Sequence, residues 1–316
     1  MFNVADRTVH RATKTLQAIS HAIEADQGGK FRQFLEKVIP HVGDAYRGED
    51  SPFRKHLGAS VLGTECGRAV WYGFRWATVP HFDARMLRLF NRGHLEEARF
   101  IAMLLTIGVQ VWQQDENGKQ FRISGVGGHF GGSGDGIGMG IPDLPPDLAA
   151  LLEFKTHNDN SFKELSAKGV REAKFEHYVQ MQTYMRKMGL TVALYMAVNK
   201  NNDEIWAELV YLDPAFADQF IDRARVIILA KEPPSKIGKS VAWFGCKWCD
   251  HKTVCHLGGA PARNCRTCVH ALPSEDGCWE CTCPDVKVEA EMQGWEDPIV
   301  LDEAAQLAAC NHYTPF

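Results

Sequence analysis

No uninterrupted apolar run in this chain approaches the roughly 20 residues that span a bilayer, which argues against a membrane-spanning helix. Its first residues lack the basic, apolar and small-residue order of a secretory leader, so a cytoplasmic protein is expected. Net charge is also scarce: −4 over 316 residues gives no global field toward nucleic acid, so any such contact must rest on a local basic groove offset by acid elsewhere. A glycine-rich stretch is present but no Gly-Lys-Ser/Thr follows it, which argues against a nucleotide-cradling loop. A flavin or dinucleotide fingerprint is missing as well. Nothing points to disorder, because 45% apolar and 23% charged residues are ordinary for a folded globular protein.

What is present centres on Leu151-Leu152-Glu153-Phe154-Lys155-Thr156, an apolar run that breaks into acid, aromatic and base. It is too short for a helix and reads as an inner strand. Alternation then puts Glu153 and Lys155 on one face and Leu152 and Phe154 on the other. Just before it lies Gly131-Gly132-Ser133-Gly134-Asp135-Gly136. If Asp135 reaches the same face, two carboxylates can hold a hard divalent cation while Lys155 positions a water for attack on phosphorus. Taken alone, Glu-x-Lys on a strand more often marks a solvated edge.

Its surroundings change that reading. Upstream, Arg92-Gly93-His94-Leu95-Glu96-Glu97 opens a helical stretch; downstream, Gln180 and Tyr184 share a helix face at i and i+4. The order Gly-x-x-x-Glu, Gly-x-x-Asp-Gly, Glu-x-Lys, Gln-x-x-x-Tyr resembles the PD-(D/E)XK nuclease superfamily, specifically its RecB-like and phage recombination exonuclease branches. The resemblance implies a restriction-endonuclease-like α/β core that hydrolyses phosphodiester bonds in DNA to a 5′-phosphate and a 3′-hydroxyl with Mg2+ or Mn2+. Asp135 and Glu153 would be metal ligands, with the Phe154 carbonyl as a further oxygen, and Lys155 the catalytic lysine. Glu97 matches the helix-borne acid, and His94, one turn earlier, is its alternative. Asp143, in Ile141-Pro142-Asp143, is the alternative to Asp135, ranked lower because its prolines read as a turn. Gln180 and Tyr184 would hold the scissile strand or steady the lysine. Linear DNA ends are the expected substrate, exonuclease ahead of endonuclease, with a single-strand annealing protein as a fitting partner. Oligomeric state stays open. The rival readings are a DNA-binding recombination accessory that kept the fold and lost catalysis, and an iron–sulfur redox protein.

Ten cysteines without an export signal argue for metal ligation over disulfides. Cys246, Cys249 and Cys255 form C-x2-C-x5-C, which wants a fourth sulfur, and Cys66 lies upstream of the nuclease motifs. One cysteine before and a triplet after resembles the iron–sulfur nucleases of the CRISPR-associated exonuclease and AddB type, implying a [4Fe-4S] cluster that clasps the ends of the core. Zinc at the same thiolates is the rival, since spacing does not separate the two. In the tail, Cys265 and Cys268 with Cys278, Cys281 and Cys283 suggest a zinc ribbon. Similar tails favour Cys265, Cys268 and Cys281 as Zn2+ ligands, with Cys310 or His312 closing the site.

The chain therefore divides into an N-terminal helical region (1–58), a nuclease core with a mixed central sheet flanked by helices (59–258) and a Cys-rich, zinc-ribbon-like tail (259–316). Val9, Ala12, Leu16, Ile19 and Ile23 mark one N-terminal helix and Phe31 to Val38 another, with Gly43, Gly48 and Pro52 ending the pattern. Arg11 and Lys14 are possible DNA contacts there. Strands are expected near Val109–Trp112, Gln120–Ile123, 190–198 and 204–211, and a helix from Asp213 to about Lys231. Lys163, Lys168, Arg171 and Lys174 form the basic stretch put forward for phosphate contacts, with a solvated helix face as the alternative.

Overall fold

Strand β7 (Ala150–His157) takes shape where the alternation demanded it, and the rest of the sheet is laid against its two sides. The computed structural model describes residues 8–43, 51–293 and 298–316; Gly48 lies outside them. In chain order the elements before β7 are β1 (His10–Arg11), α1 (Thr13–Asp26), α2 (Gly29–Val38), β2 (Leu57–Gly58), α3 (Gly67–Phe74), α4 (Ala84–Thr106), β3 (Gln110–Trp112), β4 (Arg122–Gly125), β5 (Phe130–Ser133) and β6 (Gly136–Met139). After it come α5 (Asp159–Ala173), α6 (Phe175–Met188), β8 (Val192–Asn199), β9 (Ile205–Tyr211), α7 (Pro214–Leu229), α8 (Phe244–Lys247) and α9 (Lys252–His256). The tail holds β10 (Ala271–Pro273), β11 (Trp279–Cys281), α10 (Pro284–Met292), β12 (Ile299–Val300) and α11 (Glu303–Ala308). The chain is mixed α/β, as expected. It forms two compact units that interleave along the sequence, the first from residues 1–50, 82–123 and 132–218 and the second from 51–81, 124–131 and 219–316.

The first unit is built on a six-stranded sheet of order β1-β9-β8-β7-β6-β3. Only β7 and β8 run parallel; the other neighbours are antiparallel, so the sheet is mixed. Leu152 and Phe154 of β7 join Leu194, Met196 and Val198 of β8 and Leu209 of β9 in one core, into which α4 sends Phe100, Ile101 and Leu104. The rings of Phe100 and Phe154 stack at 5.1 Å between centroids. At about 25 cal/mol per Å2 such burial stabilises by roughly 2 kcal/mol per large side chain. Glu153, Lys155 and His157 alternate to the opposite face.

Helices α1 and α2 are part of this core: Ala12, Ile19 and Val38 are buried in it, with Leu16, Ile23, Phe31 and Leu35 packed alongside. The sequence did not announce β1, whose two residues pair with Leu209 and Glu208 of β9. The Arg11 guanidinium, put forward for DNA, lies 3.7 Å over the Trp206 ring. A further difference concerns α4, which starts at Ala84 on an Asp83 cap, so Arg92-Gly93 sits inside the helix instead of opening it. A glycine there costs propensity, but the Asp83 cap and the buried face outweigh it.

Asp143 has a different occupation from the one considered for it. Helix α1 begins after Ala12, which has no capping side chain. Asp143 supplies the missing acceptor from 128 residues away, taking hydrogen bonds from Thr15 N and Thr15 Oγ1, each at 2.7 Å, and from Lys14 N at 3.1 Å. Asp143→Ala should cost about 1–2 kcal/mol of stability in denaturant unfolding and leave divalent-cation affinity unchanged. Unchanged stability with lost cation binding would return Asp143 to the ligand set.

The second unit has a core of aromatic rings around two buried guanidinium groups. Arg266 lies 3.8 Å over the Trp76 ring and donates to Gln306 Oε1 at 2.8 Å, Lys55 O at 2.9 Å and Phe74 O at 3.2 Å. Arg75 donates to the carbonyls of Arg266 and Ala271. Burial pushes both below their ordinary range, Arg75 to about 10 and Arg266 to about 9. Strands β10, β11 and β12 form a small antiparallel sheet in this unit.

Candidate metal and catalytic site

Asp135 occupies the tight turn between β5 and β6, and its Oδ2 accepts a hydrogen bond of 2.7 Å from Phe154 N on β7. That bond ties the turn to the strand beside Glu153. Glu153 has a fully buried side chain, and Lys155, 24% exposed, donates to its Oε1 and also to Phe154 O at 3.2 Å. The second carboxylate oxygen, Glu153 Oε2, is buried with no partner. An unpartnered buried carboxylate oxygen costs several kcal/mol unless something else satisfies it.

Glu97 reaches the same group from α4, with His94 Nδ1 3.6 Å from its Oε1. Burial pushes the Glu97 carboxyl up to about 8, and the negative charges of Asp135 and Glu153 add to that push against Lys155. Burial raises Glu153 to about 7; Lys155 opposes the shift and Asp135 adds to it. Asp135 is raised by burial as well, with Lys155, the Phe154 N–H and His94 pulling the other way. For Lys155, burial favours the neutral amine, but Glu153, Asp135 and Glu97 outweigh it and the ammonium is held charged. Three carboxyls that cannot all ionise together around one ammonium form an oxygen-rich site short of positive charge. A hard divalent cation fits that deficit and would satisfy Glu153 Oε2.

Tyr184 and Gln180 stand on α6 as their spacing implied, with Gln180 Nε2 3.5 Å from the Tyr184 hydroxyl. Both are buried. Burial and the Glu153 charge hold the phenol protonated. Gly132 makes room for it: a Cβ at that position would overlap the Tyr184 ring and hydroxyl. That clearance accounts for one glycine of this glycine-rich stretch, whose composition fits close approach as well as turns.

A neighbouring network went unrecognised in the sequence. The hydroxyl of Tyr195, opposite Glu153 in the β7/β8 register, is hydrogen-bonded with His157 Nε2 at 2.9 Å and with His177 Nδ1 at 3.0 Å. Ser161 Oγ closes the chain on His157 Nδ1 at 3.0 Å. Burial pushes His157 down to about 4, helped by Lys174 and Lys155, and burial with Lys155 also depresses His177, so both imidazoles are neutral. The period-2 continuation from Glu153 through Lys155 to His157 was the available signal.

The basic stretch on α5 contributes less than expected. Lys163 pairs with Asp159 at 2.7 Å, Lys168 and Lys174 with Glu164 at 3.1 and 3.3 Å, and Arg171 lies 5.1 Å over the Tyr178 ring. These cations are matched on their own helix pair, which favours the solvated-face alternative.

The cysteines of the second unit fall into two groups. Cys66 is the residue before α3, whose Tyr72 ring lies 5.6 Å from that of His251, and Arg223 ties the preceding loop by donating to Leu62 O and to Thr64 O at 2.6 Å. Burial raises the Cys246 thiol, with the charges of Cys66 and Cys255 adding to it, and Cys249 is raised by burial and by Cys66 and Cys246. The four sulfurs therefore share one electrostatic neighbourhood. In the tail, burial raises Cys265, with Cys310, Cys268 and Cys281 contributing, and raises Cys281, with Cys283, Cys310 and Cys268 contributing. The buried Arg75 feels the Cys268 charge. Beside this group, donor atoms of Cys283, Asp285 and His312 lie within 4.8 Å of one another. His312 is there instead held between Glu289 at 3.1 Å and Asp285 at 3.6 Å, and Cys310 accompanies Cys265, Cys268 and Cys281.

Divalent-cation affinity should climb as pH rises through about 7 and about 8, because the cation must displace protons from Glu153 and Glu97. Each displaced proton steepens the dependence by up to about tenfold per pH unit. A Mn2+ titration by calorimetry across this range would show it, and Glu97→Gln should remove the upper part of the rise. A flat profile would contradict the assigned shifts.

No family model matches the sequence, and neither does any curated protein. Among solved structures the chain is similar to LHK-Exo, an alkaline exonuclease from Laribacter hongkongensis, at 18% identity and a TM-score of 0.38 over 55% of this chain and 86% of that one. LHK-Exo in complex with dAMP gives 18% and 0.39 over the same shares. A structure named SSO0001 gives 16% and 0.38 over 71% of this chain and 93% of its own.

Proposed function

We propose that this chain is a metal-dependent DNA nuclease that hydrolyses phosphodiester bonds, working as an exonuclease on linear ends in recombination or repair. The observation that carries this reading is Glu153: a buried carboxylate with one oxygen on Lys155 and the other unpartnered, beside Asp135 and Glu97. Asp135, Glu153 and Glu97, with the Phe154 carbonyl, would hold Mg2+ or Mn2+. Such an ion supplies Lewis acidity to a phosphoryl oxygen and makes a coordinated water more acidic.

The chain's own groups do the rest. Lys155 enters as an ammonium, because Glu153 and its neighbouring carboxyls hold its proton against the cost of burial. It therefore acts as a donor that orients the attacking water and stabilises negative charge growing on phosphorus, not as the base. Tyr184, protonated and linked to Gln180, offers a second donor to a phosphate oxygen. His157 and His177, held neutral on Tyr195, keep the floor beneath Glu153 and Lys155 rigid without adding charge. On the second unit, Cys66, Cys246, Cys249 and Cys255 would hold a [4Fe-4S] cluster, and Cys265, Cys268, Cys281 and Cys310 would hold Zn2+. Soft thiolates suit both, and each site closes a long loop that packing alone would have to order.

End-labelled linear and closed circular DNA, incubated with Mg2+, Mn2+ or EDTA, tests the reading. Wild type should degrade the linear form only, and Glu153→Gln and Lys155→Ala should lose on the order of a thousandfold or more in rate while keeping fold and DNA binding. Cutting of circles would make the enzyme an endonuclease. Retained binding without cleavage under any metal would make it a recombination accessory. Metal analysis with visible absorption should find iron and sulfide lost in Cys246→Ser and zinc lost in Cys268→Ser; zinc in both places would replace the cluster assignment.

A further inference from the structure

The loop that carries Cys246 and Cys249 has a second surface. Cys246 is buried, while the residues around it turn outward: Phe244 is 84% exposed, Trp248 76% and Trp243 39%. Backbone bonds set this arrangement, with Cys246 N donating to Trp243 O at 2.9 Å and Cys249 N to Cys246 O at 3.1 Å, so sulfurs face in and rings face out. Trp243 is fixed from beneath by Gly238 and Gly245, where any Cβ would run into its ring. Three large rings left in solvent within six residues are costly, and such clusters mark binding surfaces.

The charge around the rings says what kind of partner fits. Residues 231–256 carry five lysines (Lys231, Lys236, Lys239, Lys247 and Lys252) against two carboxylates, Glu232 and Asp250. Lys236, Lys239, Lys247 and Lys252 are exposed. Lys247 Nζ stands 5.2 Å over the Trp248 ring, and Lys252 Nζ donates to Lys247 O at 3.1 Å, so one ammonium lies on a ring and a second is held next to that residue's backbone. Among the described residues no carboxylate pairs with Lys236, Lys239 or Lys247, in contrast to the matched lysines of α5. A second copy of the same face would bring like charges together. Rings left largely in solvent, one of them with an ammonium already over its face, together with lysines that no described carboxylate pairs, match a polyanion whose flat bases are unstacked.

We infer that this rim, built from Trp243, Phe244 and Trp248 with Lys239 and Lys247, is a binding site for single-stranded nucleic acid. Bases stack on Phe244 and Trp248, and the lysines meet the phosphates without reading sequence. The inference concerns the second unit by itself and does not require the carboxylate site to be catalytic.

The test is fluorescence anisotropy of a labelled short oligo(dT), and of a blunt duplex of equal length, with the full-length protein and no added divalent cation. Tighter binding of the single strand, weakened about tenfold by Trp248→Ala and restored by Trp248→Phe, would bear the inference out. Lys239→Gln with Lys247→Gln should lower the slope of log affinity against log salt by about 0.7 for each phosphate that is no longer neutralised. A circular dichroism spectrum and a thermal unfolding midpoint equal to wild type establish that each variant keeps its fold. Equal single-strand affinity in Trp248→Ala would overturn the site, as would a rim that instead drives self-association abolished in that variant. Cleavage of linear DNA by wild type is scored separately, so either reading can fail without the other.

Discussion

The first unit depends on one constraint: a carboxylate placed in the interior of a sheet, where only an ammonium and one unoccupied direction remain to it. Glu153 sits there because β7 must alternate, and the apolar side of that alternation, Leu152 and Phe154, is fastened into the main core. The energy of that core holds the charged side in place. A charge so buried is tolerated only when paired and hydrogen-bonded, and here the pairing is incomplete by one oxygen. The charges of Asp135 and Glu97 are coupled to that of Glu153, and Tyr195 of the neutral histidine–tyrosine network lies opposite it in the strand register.

The second unit solves its packing differently. Arg75 and Arg266 are buried among Trp71, Trp76 and Trp279, so cationic planes replace some of the aliphatic side chains a core would otherwise use. Burial and mutual proximity raise the thiols of Cys246, Cys249, Cys265 and Cys281, a penalty that a soft metal ion would relieve by taking up their charge on deprotonation.

Much of this was legible in the residues, and what was not has physical reasons. Short apolar runs revealed β7 and β8, alternation revealed β9, and i, i+4 spacing placed Gln180 with Tyr184, because these patterns are local. Asp143 was ambiguous because its partner lies 128 residues away at the start of α1, a pairing that no spacing rule reaches. Strand β1 is two residues long and carries no periodicity. Lys163 and Lys168 of α5 have acidic partners four residues before them, Asp159 and Glu164, a local pattern already present in the sequence, whereas Lys174 reaches Glu164 from ten residues away, which no spacing rule gives. His157 and His177 escaped notice because tyrosine, their common partner, belongs to another strand.

The raised carboxyls also bear on how the protein is made. A group whose folded pKa lies above its unfolded value favours folding most at low pH, and that contribution fades as pH rises through the folded pKa, here about 7 for Glu153 and about 8 for Glu97. Near neutrality both can carry protons while the sheet closes, so the interior need not shelter naked negative charge during assembly. Protons act as provisional occupants, present in any compartment and given up on exchange. A chain whose raised carboxyls hold protons near neutrality can thus close its sheet without a metal, and under the proposed reading an ion would be taken up afterwards in exchange for those protons.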